Sequence, residues 1–437
     1  HLEKAPLKYS GLRPWEILLS EAQERMTIAV SPEKVERLFT MAEKMGVEAT
    51  VLGKFTDSGA FHILYDGKTV AWLDMEFLHK GVPPLVMDAQ WEVRRHDEPD
   101  VEPPRDLKPS LLQMLGRLNI CSKESVVRQY DHEVQGGSVV KPLVGAHNDG
   151  PSDAAVIRPV LESREGVVIS HGICPRYGDI DTYHMAACAI DEALRNYCAV
   201  GGNLDRVAGL DNFCWCDPIK AEKNPDGDYK LAQLVRACMA LYDYTTAFGV
   251  PCISGKDSMK NDYRVGDIKI SIPPTLLFSI MGKIDDVKKA VTMDVKQAGD
   301  AVYMVGETFD ELGGSEYYAL HGRIGNRVPI VDAVRARDRY RALSRAITSG
   351  MVASCHDCSD GGLGVALAES CFAGGLGAEV DLRKVPAQGI TRNDSLFYSE
   401  SASRFVVTVH PHHQAAFEEV MKGEVSAEIG TVLSGTK

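Results

Sequence analysis

Five short strings in this chain carry side chains able to hold a cation, a phosphate or an amide. HDCSDGGLGVALAE (His356–Glu369) sets Asp357, Ser359 and Asp360 just before a Gly-Gly pair that opens an amphipathic helix. A carboxylate beside bare helix amides suits a metal with a phosphate. The same residues would serve equally as an ordinary helix cap. Glu192 and Asn196 stand four apart in DEALRN, on one face of a helix, and both offer hard oxygen atoms; a solvated face with Arg195 nearby is the alternative. Asp153 starts a strand that could meet that helix. SGKDSMKND (Ser254–Asp262) reads as a tight loop after an apolar strand, in which Lys256 or Ser258 could touch an anion and Gly255 admits close approach of a ligand. It lacks the spacing of a Walker loop, and a polar turn fits it as well. DNFCWCDP (Asp211–Pro218) places Asp211 at a strand end, as a ribose or metal contact or as an Asx turn.

The elements that must position these groups alternate. Strands are expected at Ala154–Arg158, Gly166–Ser170, Val207–Leu210, Pro251–Ile253 and Thr275–Ile284, with helices at Thr182–Val200 and Tyr229–Phe248. A later unit has a strand at Ala301–Val305 and helices near Val331–Ile347 and Leu363–Phe372. Helices interleaved with adjacent strands give an α+β class. Glu92–Pro109 is charged, Pro-rich and aperiodic, hence a linker, and Ser110–Tyr130 reads as helical.

The chain also repeats itself. LEKAP at Leu2–Pro6 matches LRKVP at Leu382–Pro386, and SEAQERMTIAVSP (Ser20–Pro32) matches SESASRFVVTVHP (Ser399–Pro411). The second copy follows about 85 residues of strand, loop and helix that belong to its folding unit; the first has no such lead, so a duplication cut within its first repeat is expected. In the first copy a strand Met26–Val30, a helix Pro32–Met45 burying Val35, Leu38, Phe39 and Ala42, and strands Ala49–Leu52, Phe61–Tyr65 and Thr69–Leu73 should follow. Glu21 and Gln23 point to one side of the extended segment; the second copy keeps Glu400 but has Ala402 in place of Gln23.

Lys and Arg number 48 against 61 Asp and Glu, a net −13 spread along the chain, which argues against a nucleic-acid or anionic-membrane surface. No apolar run approaches a membrane span. Eleven cysteines, with Cys355 and Cys358 as one unpartnered C-x-x-C, fit buried reduced thiols and a cytoplasmic protein.

Taken in order, PWEILLSEAQERM, DEALRN, DNFCWCDP, SGKDSM and HDCSDGGLGVALAE resemble the synthetase part of phosphoribosylformylglycinamidine synthases, over nearly the whole chain. That resemblance implies a duplicated core-plus-flanking-domain architecture of the aminoimidazole ribonucleotide synthetase-like superfamily. The chain would then hold the end of a first flanking domain (1–84), a linker and connecting helix (85–130), a second, barrel-forming core domain (131–295) and a second flanking domain (296–437). It implies an ATP-dependent ligase that turns formylglycinamide ribonucleotide and glutamine-derived ammonia into the amidine, with a glutaminase subunit or domain as partner. Glu21, Ala22, Gln23 and Ser258 would bind substrate, and Asp211 and Gly255 the ATP. Asp153, Glu192, Asn196 and Asp357 would hold Mg2+ at an auxiliary ATP/ADP site, with Ser152 and Ser359 near the nucleotide. Lys256 stands where some members carry an Asn ligand, with Asp257 as a substitute. The family's His-rich segment belongs to the missing N-terminal half, so the fragment alone is expected to be inactive and to self-associate as a homodimer through the face its partner would cover. A non-catalytic nucleotide-binding scaffold half is the alternative; a single-repeat relative is disfavoured by the remnant of a first repeat.

Overall fold

In a computed structural model of the chain, residues 1–435 are described, and they fall into two compact units, His1–Val86 and Met87 onward. The first unit holds three helices, Pro14–Leu19 (α1), Val35–Lys44 (α2) and the short Met75–Lys80, and one hairpin, Ala60–Tyr65 (β1) with Lys68–Asp74 (β2). A Glu16 carboxylate accepts from the Arg13 amide at 2.7 Å and caps α1, whose first position is Pro14. Val35, Leu38, Phe39 and Ala42 form the covered face of α2 as the spacing predicts, but each is only half-buried. Ile17 and Ile63 are the buried apolar residues of this unit. The expected strands Met26–Val30 and Ala49–Leu52 do not form; both segments are irregular, with Met26 and Ile28 exposed. An isolated strand leaves its amides and carbonyls without partners, and no described strand of this unit lies beside either segment.

The second unit is built on two sheets. The larger has six strands: Ser138–Val140 (β3), Ala155–Ile157 (β4), Gly166–Ile173 (β5), Val207–Cys214 (β6), Cys252–Ser258 (β7) and Thr275–Ile284 (β8), in the order β3-β4-β5-β8-β6-β7. All neighbours are antiparallel except β6 and β7. Two long helices, Thr182–Ala199 (α3) and Gly227–Phe248 (α4), belong with it. Strand alternation puts Val168, Ser170, Leu276, Phe278 and Ile280 inside, while His171, Ile173 and Met281 stay exposed on the other face.

The second sheet has five strands: Ala301–Val305 (β9), Val352–Asp357 (β10), Gly377–Val380 (β11), Phe405–Val409 (β12) and Ser426–Leu433 (β13), in the order β10-β12-β9-β13-β11. Helices Ala333–Thr348 (α5) and Gly362–Gly374 (α6) flank it. Every residue of β9 is buried: Ala301, Tyr303 and Val305 enter the core shared with α3 and the six-stranded sheet, and Val302 and Met304 enter a second core with Leu363 and Leu367 of α6. A five-residue apolar run buried on both faces is what a central strand requires.

Further local readings are corrected. SGKDSM is not a tight loop: Ser254–Ser258 continue β7, an exposed edge strand paired to β6. Nor does Asp211 stand at a strand end, because β6 runs on through it to Cys214. The helix expected over Ser110–Tyr130 is two short pieces, Lys108–Leu115 and Glu124–Val127. All eleven cysteines are free, yet only Cys188, Cys198, Cys216, Cys355 and Cys358 are fully buried, so the expectation of inward thiols is half met.

Candidate functional site: a junction of α3 with the HDCSDGG turn

Strand β10 ends in His356-Asp357, and the chain then turns through Cys358–Gly361 into α6. Gly361 and Gly362 both take left-handed backbone conformations (φ 79° and 62°), and a Cβ on Gly362 would fall 2.3 Å from the Ser399 carbonyl oxygen. The turn therefore needs its glycine pair. It is not an ordinary side-chain cap: the residue before α6 is Gly361, and no side chain accepts from the first turn of the helix. Instead Ser359 donates to Asp357, and both meet Arg195 of α3.

Arg195 is the hub. Its Nε lies 3.1 Å from Asp357 Oδ2, its Nη2 donates to Ser359 at 2.7 Å, and its Nη1 pairs with Asp191 one turn back. Only a few per cent of its side chain reaches solvent. Burial by itself would lower the guanidinium's proton affinity, but the charges of Asp357 and Asp191 outweigh that and raise it. Asp191 is satisfied in turn by the Ser403 amide at 3.0 Å, the Ser403 hydroxyl at 2.7 Å and the Tyr340 hydroxyl. This ties α3, which carries Glu192 and Asn196, to β10 and β12 of the other sheet. The alternative left open by the sequence, a solvated face with Arg195 nearby, is excluded by the burial of Arg195. The available signal was Asp191 four residues before it, a spacing that pairs charges within one helix.

Asp153 lies against the same turn. Its Oδ1 accepts from the Asp357 amide at 3.0 Å and from His356 Nδ1 at 2.9 Å, while Oδ2 is buried with no partner. Asp153, His356 and Asp357 each present a ligand atom within 4.8 Å of the others, and they are the buried trio able to share a cation among the described residues. On α3, Glu192 Oε2 accepts from the Ile173 amide at 2.7 Å and from the Cys174 thiol. Burial of its carboxylate, offset by Arg195 and reinforced by the Asp357 charge, moves its pKa up to about 7. Asn196 donates to the His171 carbonyl at 3.1 Å, and its own Oδ1 is a second buried oxygen without a partner. The orphaned acceptors of Asp153 and Asn196 are oxygens of the kind a hard divalent cation takes, while Glu192 lies outside the Asp153, His356 and Asp357 trio. Ser152, the neighbour of Asp153, instead turns its hydroxyl to the Ala154 carbonyl at 3.0 Å.

The other expected contacts lie elsewhere. Asp211 and Gly255 are register partners across β6 and β7, and a Cβ on Gly255 would come within 2.7 Å of Asp211 Oδ1. The missing side chain is what leaves room for that carboxylate. Burial, and then the Asp257 charge, hold Asp211 above the ordinary carboxylate range. Ser258, three residues along β7, shares its hydroxyl with Asn261. Glu21 and Gln23 are exposed and Ala22 half-buried, in the first unit. Glu400, the counterpart of Glu21, is buried: its Oε1 accepts from the Glu316 and Gly361 amides at 2.9 and 2.8 Å, and its Oε2 from the Tyr177 hydroxyl at 2.7 Å. Arg195, His356 and Glu400 were not singled out for this site from the sequence.

Comparison with known proteins identifies the domains. The family described as AIR synthase related protein, C-terminal domain, matches residues 1–66 and 297–437, and the corresponding N-terminal domain matches 151–273. The subunit PurL of phosphoribosylformylglycinamidine synthase from Thermoplasma acidophilum is 32% identical over 435 residues, which is 98% of this chain and 54% of that protein. The structure of Thermotoga maritima PurL complexed with ATP superposes with a TM-score of 0.56 at 21% identity, covering 99% of this chain and 59% of that one. The same protein complexed with FGAR gives 0.53 at 19% identity, over 75% and 52%. The chain spans about half the length of the curated relatives it matches. Sequence and fold agree, and the α+β, AIR synthase-like architecture is that of the matched domains. The chain is built of AIR synthase related domains and resembles the PurL subunit of phosphoribosylformylglycinamidine synthase.

Proposed function

We propose that this chain supplies part of an ATP-dependent C–N ligase that converts formylglycinamide ribonucleotide to its amidine in purine biosynthesis. Relatives of that name, and Thermotoga maritima PurL complexes with ATP and with FGAR, support the reading. In such a reaction ATP phosphorylates the amide oxygen, ammonia attacks the amide carbon, and phosphate leaves with that oxygen, giving the amidine, ADP and phosphate. Asp211, in the space left by Gly255, would contact ATP, and Ser258, Glu21, Ala22 and Gln23 the ribonucleotide. Holding both reactants in place is the main task of side chains in phosphoryl transfer. Ammonia would come from glutamine through a separate glutaminase subunit or domain. The proposed domain limits remain 1–84, 85–130, 131–295 and 296–437.

The junction at α3 carries the reading furthest, through one observation: the oxygens Asp153 Oδ2 and Asn196 Oδ1 are buried without a partner. Asp153, Glu192, Asn196 and Asp357 would hold Mg2+, which would neutralise the phosphates of an ATP or ADP kept there for structural reasons. Ser359, and less directly Ser152, would face that nucleotide. Arg195 would fix the orientation of Asp357. The test is calorimetry of ADP with and without magnesium: Asp357→Ala should abolish the magnesium-dependent heat, and unchanged affinity would remove the assignment. For the ligase itself, formation of amidine from ammonium, ATP and formylglycinamide ribonucleotide is expected only when a polypeptide carrying the rest of the relatives' length is added. No turnover in the mixture would favour a scaffold half without catalysis.

A further inference from the structure

The side chain of Asp153 is almost wholly removed from solvent, with 1% exposed. Its two oxygens are treated differently: Oδ1 has both the Asp357 amide and His356 Nδ1, and Oδ2 has nothing. His356 is itself braced from the opposite side, because its Nε2 lies 2.8 Å from Oε2 of Glu369 on α6. The ring thus bridges Asp153 and Glu369 through its two nitrogens. A buried carboxylate with one oxygen clamped and one free cannot rotate without breaking two hydrogen bonds.

We infer that His356 is a positioning residue: clamped by Glu369, it fixes Asp153 so that Oδ2 is presented to a divalent cation. This rests on the cation reading given above; within the trio, His356 has both ring nitrogens engaged by carboxylates and so acts as a support for a ligand and not as one. Partners of this kind orient metal ligands, and their loss costs affinity more than it costs fold.

The two amide replacements of His356 separate its two contacts. Asn places a donor where Nδ1 stands and can still reach Asp153, whereas Gln places one where Nε2 stands and reaches Glu369 instead. Magnesium-dependent ADP binding by calorimetry, with melting temperature as a check on folding, should show H356N within about threefold of the unaltered chain and H356Q weakened roughly tenfold to a hundredfold. Equal losses in the two variants would overturn the positioning role while leaving the cation site in place. Absence of any magnesium-dependent binding in the unaltered chain would overturn the site, and the role of His356 with it. If H356Q does not fold, E369Q decides: weakening by about threefold is expected from a slackened clamp, and an unchanged affinity overturns the inference.

Discussion

The loops Ser20–Arg25 and Ser399–Arg404 are one backbone design in two surroundings. In each, the fifth residue is left-handed, Glu24 at φ 62° and Ser403 at 59°. In each, the closing arginine donates to the carbonyl of the opening serine. A six-residue helix precedes both (α1, and Asn393–Tyr398), and a 3-10 turn begun by proline follows at Pro32–Lys34 and Pro411–His413. What differs is the segment between loop and turn. Phe405–Val409 is a fully buried strand between β10 and β9, whereas Met26–Val30 is irregular. The loop is thus specified by its own residues, and the strand by its neighbours. The same contrast governs the two glutamates: Glu400 has three donors, and Glu21 is exposed.

The largest effect expected from this contrast is in Glu400→Ala, which strips an acceptor from two buried amides and a buried hydroxyl. It should destabilise the second unit by roughly 4 kcal/mol in urea unfolding, while Glu21→Ala leaves the midpoint unmoved. Equal midpoint shifts would mean that the two loops are not differently embedded. Next comes Arg404→Ala. Arg404 is fully buried and donates to the Ser399 and Ser401 carbonyls and to Thr308 at 2.8 Å from the last. Its loss should cost roughly 3 kcal/mol, and Arg25→Ala nothing detectable, by the same assay.

The smallest effect is one of pH. Burial raises Glu400 from 4.5 to about 7, with Glu316 adding to the rise. Between those two values the folded chain holds a proton at this site that the unfolded chain has released. Stability from this group is therefore greatest below the lower value and is lost as pH rises through the upper one. Gln at this position keeps an acceptor without titrating, so E400Q should show a flatter decline over that window. Identical slopes would assign the dependence to other carboxylates.

Much of the fold could be read from period alone. The strands Ala301–Val305 and Thr275–Ile284, and the helix starting at Thr182, stand where their apolar spacing puts them, because each meets a partner of matching pattern. Met26–Val30 has the same pattern as Phe405–Val409 and no partner, and pairing is a property no single segment encodes. SGKDSM was misread for a related reason: Gly, Lys, Asp and Ser are turn residues by preference, and only the parallel contact with Val207–Cys214 makes them a strand. At the junction, Asp153 and Asp357 do meet across a backbone amide, as do Arg195 and Asp357 through their side chains. His356 and Glu369 lie in the very string singled out, yet a bond spanning thirteen residues between a strand end and a helix is invisible until both elements are in place.

Arg195 reaches from a helix of the six-stranded sheet to a strand of the five-stranded one, and Asp153 and Asp357 meet across the same seam. Anything gripped by all of these oxygens at once works as a rivet: to prise the two layers apart, the guest must first be released. Occupancy should therefore make the layers melt together, and an empty seam is where the unit would first come open.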